Sequence, residues 1–394
     1  MKRVLHLTTH LNIGGITSYI KLVTNEMQKK DYRFYVGSSG GTQEEFLKDQ
    51  GVECVRLNIK TKSEISPKVF AAIRPLIQLI KREHIDLIHA HTRVTQILSW
   101  WTQWFTGIPY VSTCHGFYKP RLGRRLIPAW GNHVIAISTP VEDSLIHDFK
   151  VNPGKTTTIF NAIDIPELVG RYQKKDPDSI RKELNLTDHS TVIGIIARIV
   201  EDKGHEYFLR ATKKLLNERR HPVKVLIVGD GPYLKKVRGL VKQLQMEEVV
   251  VFLGSIQDVT RALAVIDIFV LPAVWREGFG LSIIEAMAVC KPVIVTNIWS
   301  LNELVQNGTT GLLVEPKNID ELCGAMRSLI EDKKLYERIA KNGCEMVKRE
   351  FSIPQMASRV DQIYQSVLNH RSALLQFHRI KSLPPCGGGE VGGT

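Results

Sequence analysis

The chain has 394 residues, of which 43% are hydrophobic and 24% charged, and this composition is ordinary for a globular protein of two or three domains. Its formal net charge of +13 is spread over both halves, so its partners are expected among anions: nucleotide phosphates, an anionic membrane surface or nucleic acid. Six cysteines without a C-x-x-C pair exclude a zinc ribbon, and no apolar run approaches the about 18 residues of a membrane span.

The first half alternates short β-branched runs with longer helical patterns. This alternation predicts a parallel sheet covered by helices on both faces. Helices are predicted at Thr17–Lys29, Pro67–Glu83 and Thr139–Phe149. The predicted strands are Arg3–Thr9, Arg33–Ser38, Val52–Ile59, Leu87–His91, Tyr110–Cys114, His133–Ile137 and Thr157–Phe160.

A polar segment then interrupts the pattern, and a second α/β alternation follows it. We therefore predict two doubly wound, Rossmann-like α/β domains facing across a cleft, with ligands at the carboxyl ends of the strands. The second set of strands is Thr191–Ile196, Lys224–Val228, Val249–Leu253, Ile266–Leu271, Pro292–Val295 and Gly311–Val314. The expected boundaries are 1–165 for the first domain, 166–187 for a linker, 188–350 for the second domain, 351–376 for a helix crossing back to the first domain, and 377–394 for a disordered Gly/Pro-rich tail.

The most informative stretch is residues 276–287, between two predicted strands of the second domain. Gly278 and Gly280 let the backbone approach a ligand, and the helix that begins near Ser282 directs unpaired N–H groups at the cleft. Such a helix end binds a diphosphate. Glu277 before the helix and Glu285 within it suit the hydroxyls at the two ends of a nucleotide sugar. Two structural interpretations compete with this one: Ser282 and Glu285 fit a capping box, and Glu277 is compatible with a solvated loop.

Residues 277–288, E-G-F-G-L-S-I-I-E-A-M-A, closely resemble the E-x7-E signature of glycosyltransferase family 4. The downstream segments 291–296, 302–305 and 308–314 also resemble that family, so the similarity extends over nearly the whole chain. It implies the GT-B fold and a retaining transfer of a hexose-type sugar. The first glutamate of the signature, here Glu277, would contact the transferred sugar, and the second, Glu285, the ribose. Gly278, Phe279, Gly280, Leu281 and Ser282 would bind the donor between them.

Two cations, Arg198 and Lys203, follow the first strand of the second domain. At the mouth of a sheet they can neutralise a departing diphosphate, whereas the competing interpretation is an exposed basic loop. The stretch resembles the family's G-R-x4-K-G element, whose Arg and Lys bind the diphosphate. Because these two cations can replace a metal ion, neither a metal nor another cofactor is expected.

The first domain offers Gly14, Gly15 and His115. The Gly-Gly turn follows the first strand, and it resembles the family's glycine loop near the donor phosphate and the acceptor. His115 lies at a strand end in a stretch similar to the family's T-x-H-G element, whose His contacts the donor sugar; a lone histidine is otherwise more often structural. The neighbouring His89 and His91 are interpreted as structural.

A basic loop over residues 119–130 follows the aromatic residues Trp100, Trp101, Trp104 and Phe105. Two interpretations fit this composition. The aromatic residues belong to the core and the loop is solvated, or the loop and the aromatic residues form a patch that binds an acceptor or an anionic membrane surface. One departure from the family pattern bears on the donor: Trp299 stands where the family commonly has glycine, so the sequence does not identify the sugar.

These observations predict a glycosyltransferase using a UDP- or GDP-sugar and a glycan or glycolipid acceptor for surface polysaccharide or lipopolysaccharide. A cytoplasmic enzyme, peripheral on the inner membrane face, is expected. The alternatives are a nucleotide-sugar epimerase of the same fold and a catalytically inactive nucleotide-sugar-binding or nucleic-acid-binding protein. Nucleic acid is not expected, because the sequence contains no aromatic-rich nucleic-acid motif.

Overall fold

The computed structural model describes residues 1–120, 123–124, 127–186, 189–218, 222–275 and 277–381, with side chains as far as residue 371. Two parallel β-sheets of seven and six strands form the centres of two α/β domains. The predicted fold class is therefore confirmed.

The first sheet has the order β3-β2-β1-β4-β5-β6-β7, and every neighbouring pair is parallel. Successive residues of its first strand bury opposite faces, since Val4 joins one apolar cluster while Leu5 and Leu7 join another. The order reverses between β1 and β4, which makes their carboxyl ends the expected ligand edge. The strands are β1 (Lys2–Leu7), β2 (Tyr32–Ser38), β3 (Glu53–Arg56), β4 (Leu87–Ala90), β5 (Tyr110–Cys114), β6 (His133–Ala136) and β7 (Thr156–Thr158).

Six helices connect these strands in the described part of the first domain. Sequence analysis missed the helix of residues 93–106, because its tryptophans were interpreted as core aromatics or as a surface patch and not as part of a periodic element. The helices are α1 (Gly15–Met27), α2 (Glu44–Asp49), α3 (Pro67–Ala71), α4 (Ile73–Glu83), α5 (Arg93–Thr106) and α6 (Thr139–Phe149).

The second sheet has the order β10-β9-β8-β11-β12-β13 and reverses between β8 and β11. Its four central strands are buried on both faces, as a parallel sheet between helical layers requires, while the edge strands β10 and β13 are partly buried. The strands are β8 (Thr191–Ile196), β9 (Val223–Val228), β10 (Val250–Gly254), β11 (Ile268–Leu271), β12 (Val293–Thr296) and β13 (Leu312–Val314).

In the described residues of the connection and the second domain, the structure has nine further helices. The segment 166–187, expected to be a linker, is largely helical: α7 packs against α11 and α12, and α8 packs against α11. Charged residues on the outer faces of these two short helices explain why the sequence resembled a linker. The helices are α7 (Ile165–Gln173), α8 (Pro177–Glu183), α9 (His205–Asn217), α10 (Leu234–Gln243), α11 (Thr260–Val265), α12 (Leu281–Ala288), α13 (Trp299–Asn302), α14 (Ile319–Glu331) and α15 (Lys333–Glu350).

The last helix, α16 (Ile353–Lys381), follows the second domain in sequence and packs against α1 of the first. Val360 and Tyr364 on this helix are buried in the first domain's apolar core. Residues 377–381 were expected in a disordered tail but continue this helix, and residues 382–394 lie outside the described part of the chain. Among the described residues, no helix is long and apolar enough to cross a membrane.

Candidate active site

A cavity of about 920 Å³ lies between the two domains. The domains touch at its floor, where a β-carbon on Gly278 would lie 3.3 Å from the carbonyl oxygen of His115. Gly15 approaches the second domain in the same way, since a β-carbon there would lie 3.7 Å from the Leu281 side chain. Ten of the predicted site residues line this cavity: Gly15, His115, Arg198, Lys203, Glu277, Gly278, Phe279, Gly280, Leu281 and Ser282.

Two of the predicted residues bind each other. The Lys203 Nζ donates to Glu277 Oε2, and the two side chains are only 22% and 14% exposed. The other carboxylate oxygen, Oε1, accepts from the backbone N–H of Gly278 at 3.2 Å. Glu277 is therefore not a solvated loop charge, because it is held in an ion pair within the cavity wall.

The position of Lys203 depends on the glycine that follows it. Lys203 ends a single 3₁₀ turn, and Gly204 has φ 72°, a left-handed conformation that favours glycine. A β-carbon on Gly204 would lie 1.8 Å from the carbonyl oxygen of Pro272, so no other residue fits against the end of β11. Burial and the neighbouring Arg198 lower the pKa of Lys203 to about 8, and the charge of Asp202 opposes this shift.

Arg198 comes directly after the buried end of β8 and lines the same cavity. Its side chain is exposed and forms no ion pair with any residue that the structure describes. The guanidinium is thus available to an anion entering the cavity, and a bidentate contact with phosphate is the geometry that arginine favours.

The amino terminus of α12 points at the cavity through Leu281 and Ser282. Gly280 precedes the helix with φ 93°, and no side chain caps it. The capping box that the sequence allowed between Ser282 and Glu285 is therefore not formed. First-turn N–H groups without a side-chain partner leave this helix end suited to an anion.

Glu285 and Gly14 are not among the residues that line the cavity. Glu285 lies one turn further along α12, where burial raises the pKa of its carboxyl to about 7, and the charge of Arg171 on α7 opposes that shift. Gly14 immediately precedes α1, with open space around its α-carbon. Their roles in donor binding stay predictions.

His115 comes directly after β5 on the first-domain side of the cavity. Its Nε2 lies 3.1 Å from Nδ1 of His91, so its other nitrogen, Nδ1, is left for a ligand. Burial lowers the pKa of His115 to about 3, which keeps the imidazole neutral.

Among the cavity-wall residues that sequence analysis missed, Asn161 and Trp275 offer distinct ligand contacts. Asn161 is 8% exposed, and its Oδ1 has no hydrogen-bond partner among the described residues, so it is an acceptor free to bind a ligand hydroxyl. Trp275 is 64% exposed and offers an aromatic face at the cavity mouth. The signal for Asn161 was its position directly after the predicted strand Thr157–Phe160, at the edge of the sheet where ligands bind.

The aromatic residues of α5 form two pairs, of which Trp100 and Trp101 pack against the first domain's apolar core and Trp104 and Phe105 do not. Trp104 and Phe105 are 73% and 57% exposed, and their ring centroids lie 5.0 Å apart. Phe70 of α3 extends the cluster, 6.2 Å from the ring of Trp101. In the basic loop, residues 121, 122, 125 and 126 lie outside the described residues.

Comparison with known proteins agrees with this geometry. A family model described as Glycosyltransferase Family 4 matches residues 13–167, and one described as Glycosyl transferases group 1 matches residues 176–346. The chain is 29% identical to the Bacillus anthracis N-acetyl-alpha-D-glucosaminyl L-malate synthase, over 80% of this chain and 83% of the relative. It is also 29% identical to the Escherichia coli UDP-Gal:alpha-D-GlcNAc-diphosphoundecaprenol alpha-1,3-galactosyltransferase, over 73% of this chain and 77% of the relative.

Among solved structures, Anabaena HepE in complex with UDP and glucose superimposes with a TM-score of 0.79 at 22% identity, covering 93% of this chain and all of HepE. This likeness supports the GT-B fold. Together the two family matches account for nearly all of residues 13–346, and the chain belongs to the family 4 glycosyltransferases.

Proposed function

We propose that this enzyme transfers a hexose-type sugar, with retention of its anomeric configuration, from a nucleotide diphosphate to a hydroxyl acceptor. The observation that carries the proposal is the meeting of Arg198, Lys203 and Glu277 beside the uncapped helix end of α12 in one interdomain cavity. Cations and helix N–H groups suit the diphosphate, and a carboxylate suits sugar hydroxyls. Neither feature alone selects a nucleotide sugar, but their combination does.

UDP is the proposed nucleotide, with GDP as the alternative. The Escherichia coli relative is named for UDP-Gal, and the Anabaena structure contains UDP and glucose. Thermal unfolding with UDP-, GDP- and ADP-glucose distinguishes them, since a ligand at 100 times its Kd raises the melting temperature by about 5–10 °C. A larger shift with GDP-glucose than with UDP-glucose would replace UDP by GDP.

In the proposed reaction the bond between the sugar C1 and the β-phosphate oxygen breaks, and its electron pair leaves with the nucleoside diphosphate. Arg198 and Lys203 stabilise that negative charge, the largest electrostatic change on the path. The acceptor oxygen bonds to C1 on the same face, and its proton passes to the leaving phosphate oxygen. Product NMR reads the anomeric configuration, and an inverted product would refute retention.

The Lys203–Glu277 ion pair must rearrange for this reaction. The two charges neutralise each other inside the cavity wall. An arriving diphosphate supplies Lys203 with a stronger anion and frees Glu277 for the sugar hydroxyls. The proposed chemistry requires no metal ion, because two cations already face the leaving group; loss of transfer in EDTA, restored by Mg²⁺, would contradict this.

The proposed acceptor is a glycolipid or a lipid-linked surface-polysaccharide precursor, reached at the cytoplasmic face of a membrane. The exposed rings of Trp104, Phe105 and Phe70 support this location. Exposed Ile65 lies in the segment 60–74, whose other exposed side chains include Lys60, Lys62, Lys68 and Arg74. Aromatic and aliphatic side chains with cations around them are typical of proteins that dock on anionic lipid.

Sedimentation with anionic vesicles tests the membrane proposal. The doubly substituted W104S/F105S protein should lose most of its vesicle binding, because both rings leave the aromatic cluster. Trp299→Ser is the matched control, since Trp299 is an equally exposed indole on the second domain. Absence of binding by the unmodified enzyme at low salt would end the proposal.

Incubation with donor alone separates transfer from epimerisation. A transferase should release the nucleotide slowly without acceptor and rapidly with it. Quantitative conversion of donor to an epimeric sugar in the absence of acceptor would favour the epimerase.

A further inference from the structure

A chain of buried side chains lies behind His115. The Nε2 of His115 is 3.1 Å from Nδ1 of His91, and Nε2 of His91 is 2.8 Å from Nδ1 of His6. The Nε2 of His6 then lies 3.5 Å from the hydroxyl of Tyr364. The first three residues follow or belong to strands of the first domain, whereas Tyr364 comes from α16.

The chain continues beyond Tyr364. The same hydroxyl lies 2.5 Å from Nδ1 of His89, whose Nε2 is 2.7 Å from Oγ1 of Thr113. Every ring nitrogen of His6, His89 and His91 is therefore engaged. Within the described part of the protein, the one nitrogen of the four rings without a hydrogen bond is Nδ1 of His115, a residue that lines the cavity.

The four imidazoles are neutral, because burial lowers the pKa of His6 and His115 to about 3 and that of His89 and His91 well below the ordinary value. A neutral imidazole carries one N–H, so it donates from one nitrogen and accepts at the other. When such rings are linked in series, the tautomer of one dictates that of the next. The chain therefore runs in one direction throughout.

A metal site is the competing interpretation, because ligand atoms of His6, His89 and His91 lie within 4.8 Å of one another. Each of those nitrogens already has a hydrogen-bond partner, and His6 and His91 bond directly to each other. A metal ion would have to break these bonds in a fully buried place, so the hydrogen-bond chain accounts for the cluster better.

Tyr19 indicates the direction of the chain. Its buried hydroxyl faces Thr113 and has no other partner among the described residues. A buried O–H without an acceptor is costly, and Thr113 Oγ1 is the oxygen to which it can donate. Thr113 then donates to His89, His89 to Tyr364, and Tyr364 to His6, after which His6 donates to His91 and His91 to His115.

We propose that this chain holds His115 as the Nδ1–H tautomer and that Tyr364, on the helix that returns from the second domain, is a positioning residue that completes it. His115 then presents a fixed donor to a hydroxyl oxygen of the bound sugar. The role of the chain in catalysis depends on the proposed function, whereas the tautomer itself does not.

The test is ¹⁵N NMR of the full-length enzyme labelled in histidine, with His115→Gln used to assign the His115 signals. In the unmodified enzyme His115 should show the shifts of a protonated Nδ1 and an unprotonated Nε2. Tyr364→Phe removes one hydroxyl and keeps the ring, so the chain is interrupted and His115 should become a mixture of tautomers. Val360→Ala is the matched control, because it weakens the packing of the same helix one turn away and leaves every hydrogen bond of the chain intact.

Kinetics give a second readout. Tyr364→Phe should lower kcat about tenfold, the effect of one lost hydrogen bond, while KM for the acceptor stays unchanged. Val360→Ala should leave kcat within about twofold.

Three results would overturn the proposal: His115 protonated at Nε2 in the unmodified enzyme, an unchanged tautomer in Tyr364→Phe, or displacement of the His6, His89 and His91 signals by stoichiometric Zn²⁺. An enzyme without any transfer activity would instead refute the proposed function and leave the tautomer measurement valid.

Discussion

Glu277→Gln separates the two contributions of the Glu277 carboxylate, one to the fold and one to the reaction. The substitution keeps the size of the side chain and removes its charge, leaving Lys203 unpaired in a site where it is 22% exposed. Removing one partner of a fully buried pair costs about 3–5 kcal/mol, while exposed pairs contribute less than about 1 kcal/mol. For this partly buried pair we expect unfolding to become easier by about 1–2 kcal/mol, a fall in melting temperature of about 2–8 °C.

The effect on the reaction should be larger. The sugar develops positive charge as its bond to the diphosphate breaks, and a carboxylate at its hydroxyls stabilises that charge. Loss of one such electrostatic contact reduces kcat by about 100- to 1,000-fold. Initial rates of UDP release with and without acceptor, measured well below the melting temperature, report this change separately from stability.

Glu201→Gln is the control, since Glu201 is an exposed carboxylate on the turn that carries Lys203 and does not line the main cavity. It should keep both the rate and the melting temperature. A folded Glu277→Gln enzyme with nearly normal kcat would refute the assignment of Glu277 to the sugar.

Three further changes follow from the same geometry. Arg198→Ala should lower kcat/KM for the donor about 100-fold, because the diphosphate loses a cation. The melting temperature should stay the same, because this exposed guanidinium has no ion-pair partner among the described residues. An unchanged affinity for UDP by calorimetry would contradict the prediction. Gly204→Ala should lower the free energy of unfolding by about 3 kcal/mol in chemical denaturation, because the added β-carbon meets the Pro272 carbonyl. Gly239→Ala is the control: this glycine lies in open space on α10, so the substitution should stabilise the fold by about 0.5–1 kcal/mol. Equal effects of the two substitutions would refute the steric argument. Burial raises the pKa of Glu285 because it opposes the charged form, so the free energy of unfolding should fall by about 2–3 kcal/mol as pH rises from 4.5 to 7. Glu285→Gln should abolish that fall. Parallel pH profiles of stability for the unmodified and the substituted enzyme would contradict this prediction.

The two sheets could be predicted from the sequence because parallel strands are buried on both faces and appear as continuous β-branched runs. Thr191–Ile196 and Tyr110–Cys114 have the predicted bounds in the structure. The cavity followed from the same pattern, since Arg198, Glu277 and His115 all come after strand ends. Residues at the carboxyl edges of parallel strands meet whatever their separation in sequence.

Other features depend on tertiary contacts that no local pattern carries. The pairing of Lys203 with Glu277 joins residues 74 positions apart. The spacing between Ser282 and Glu285 fits a capping box. In the structure, however, Gly280 in a left-handed conformation is the residue before the helix, so Ser282 lies inside the first turn and does not cap it. Tyr364 gave no signal at all, because its partners His6 and His89 come from strands about 275 residues or more earlier in the chain.

Because α16 returns to the first domain, the chain passes between the two domains twice. The two crossings, near Ile163 and near Ser352, lie side by side. Ile163 pairs with Ser352 in an isolated bridge, and its N–H donates to the carbonyl oxygen of Phe351 at 3.3 Å. Because the two connections are joined side by side, we expect relative motion of the domains to be a hinge rotation about this pair rather than a sliding displacement. A protein truncated before Ile353 would lose the apolar cover that Tyr364 and its neighbours provide to the first domain, so separate expression of that domain requires the helix to be grafted onto it.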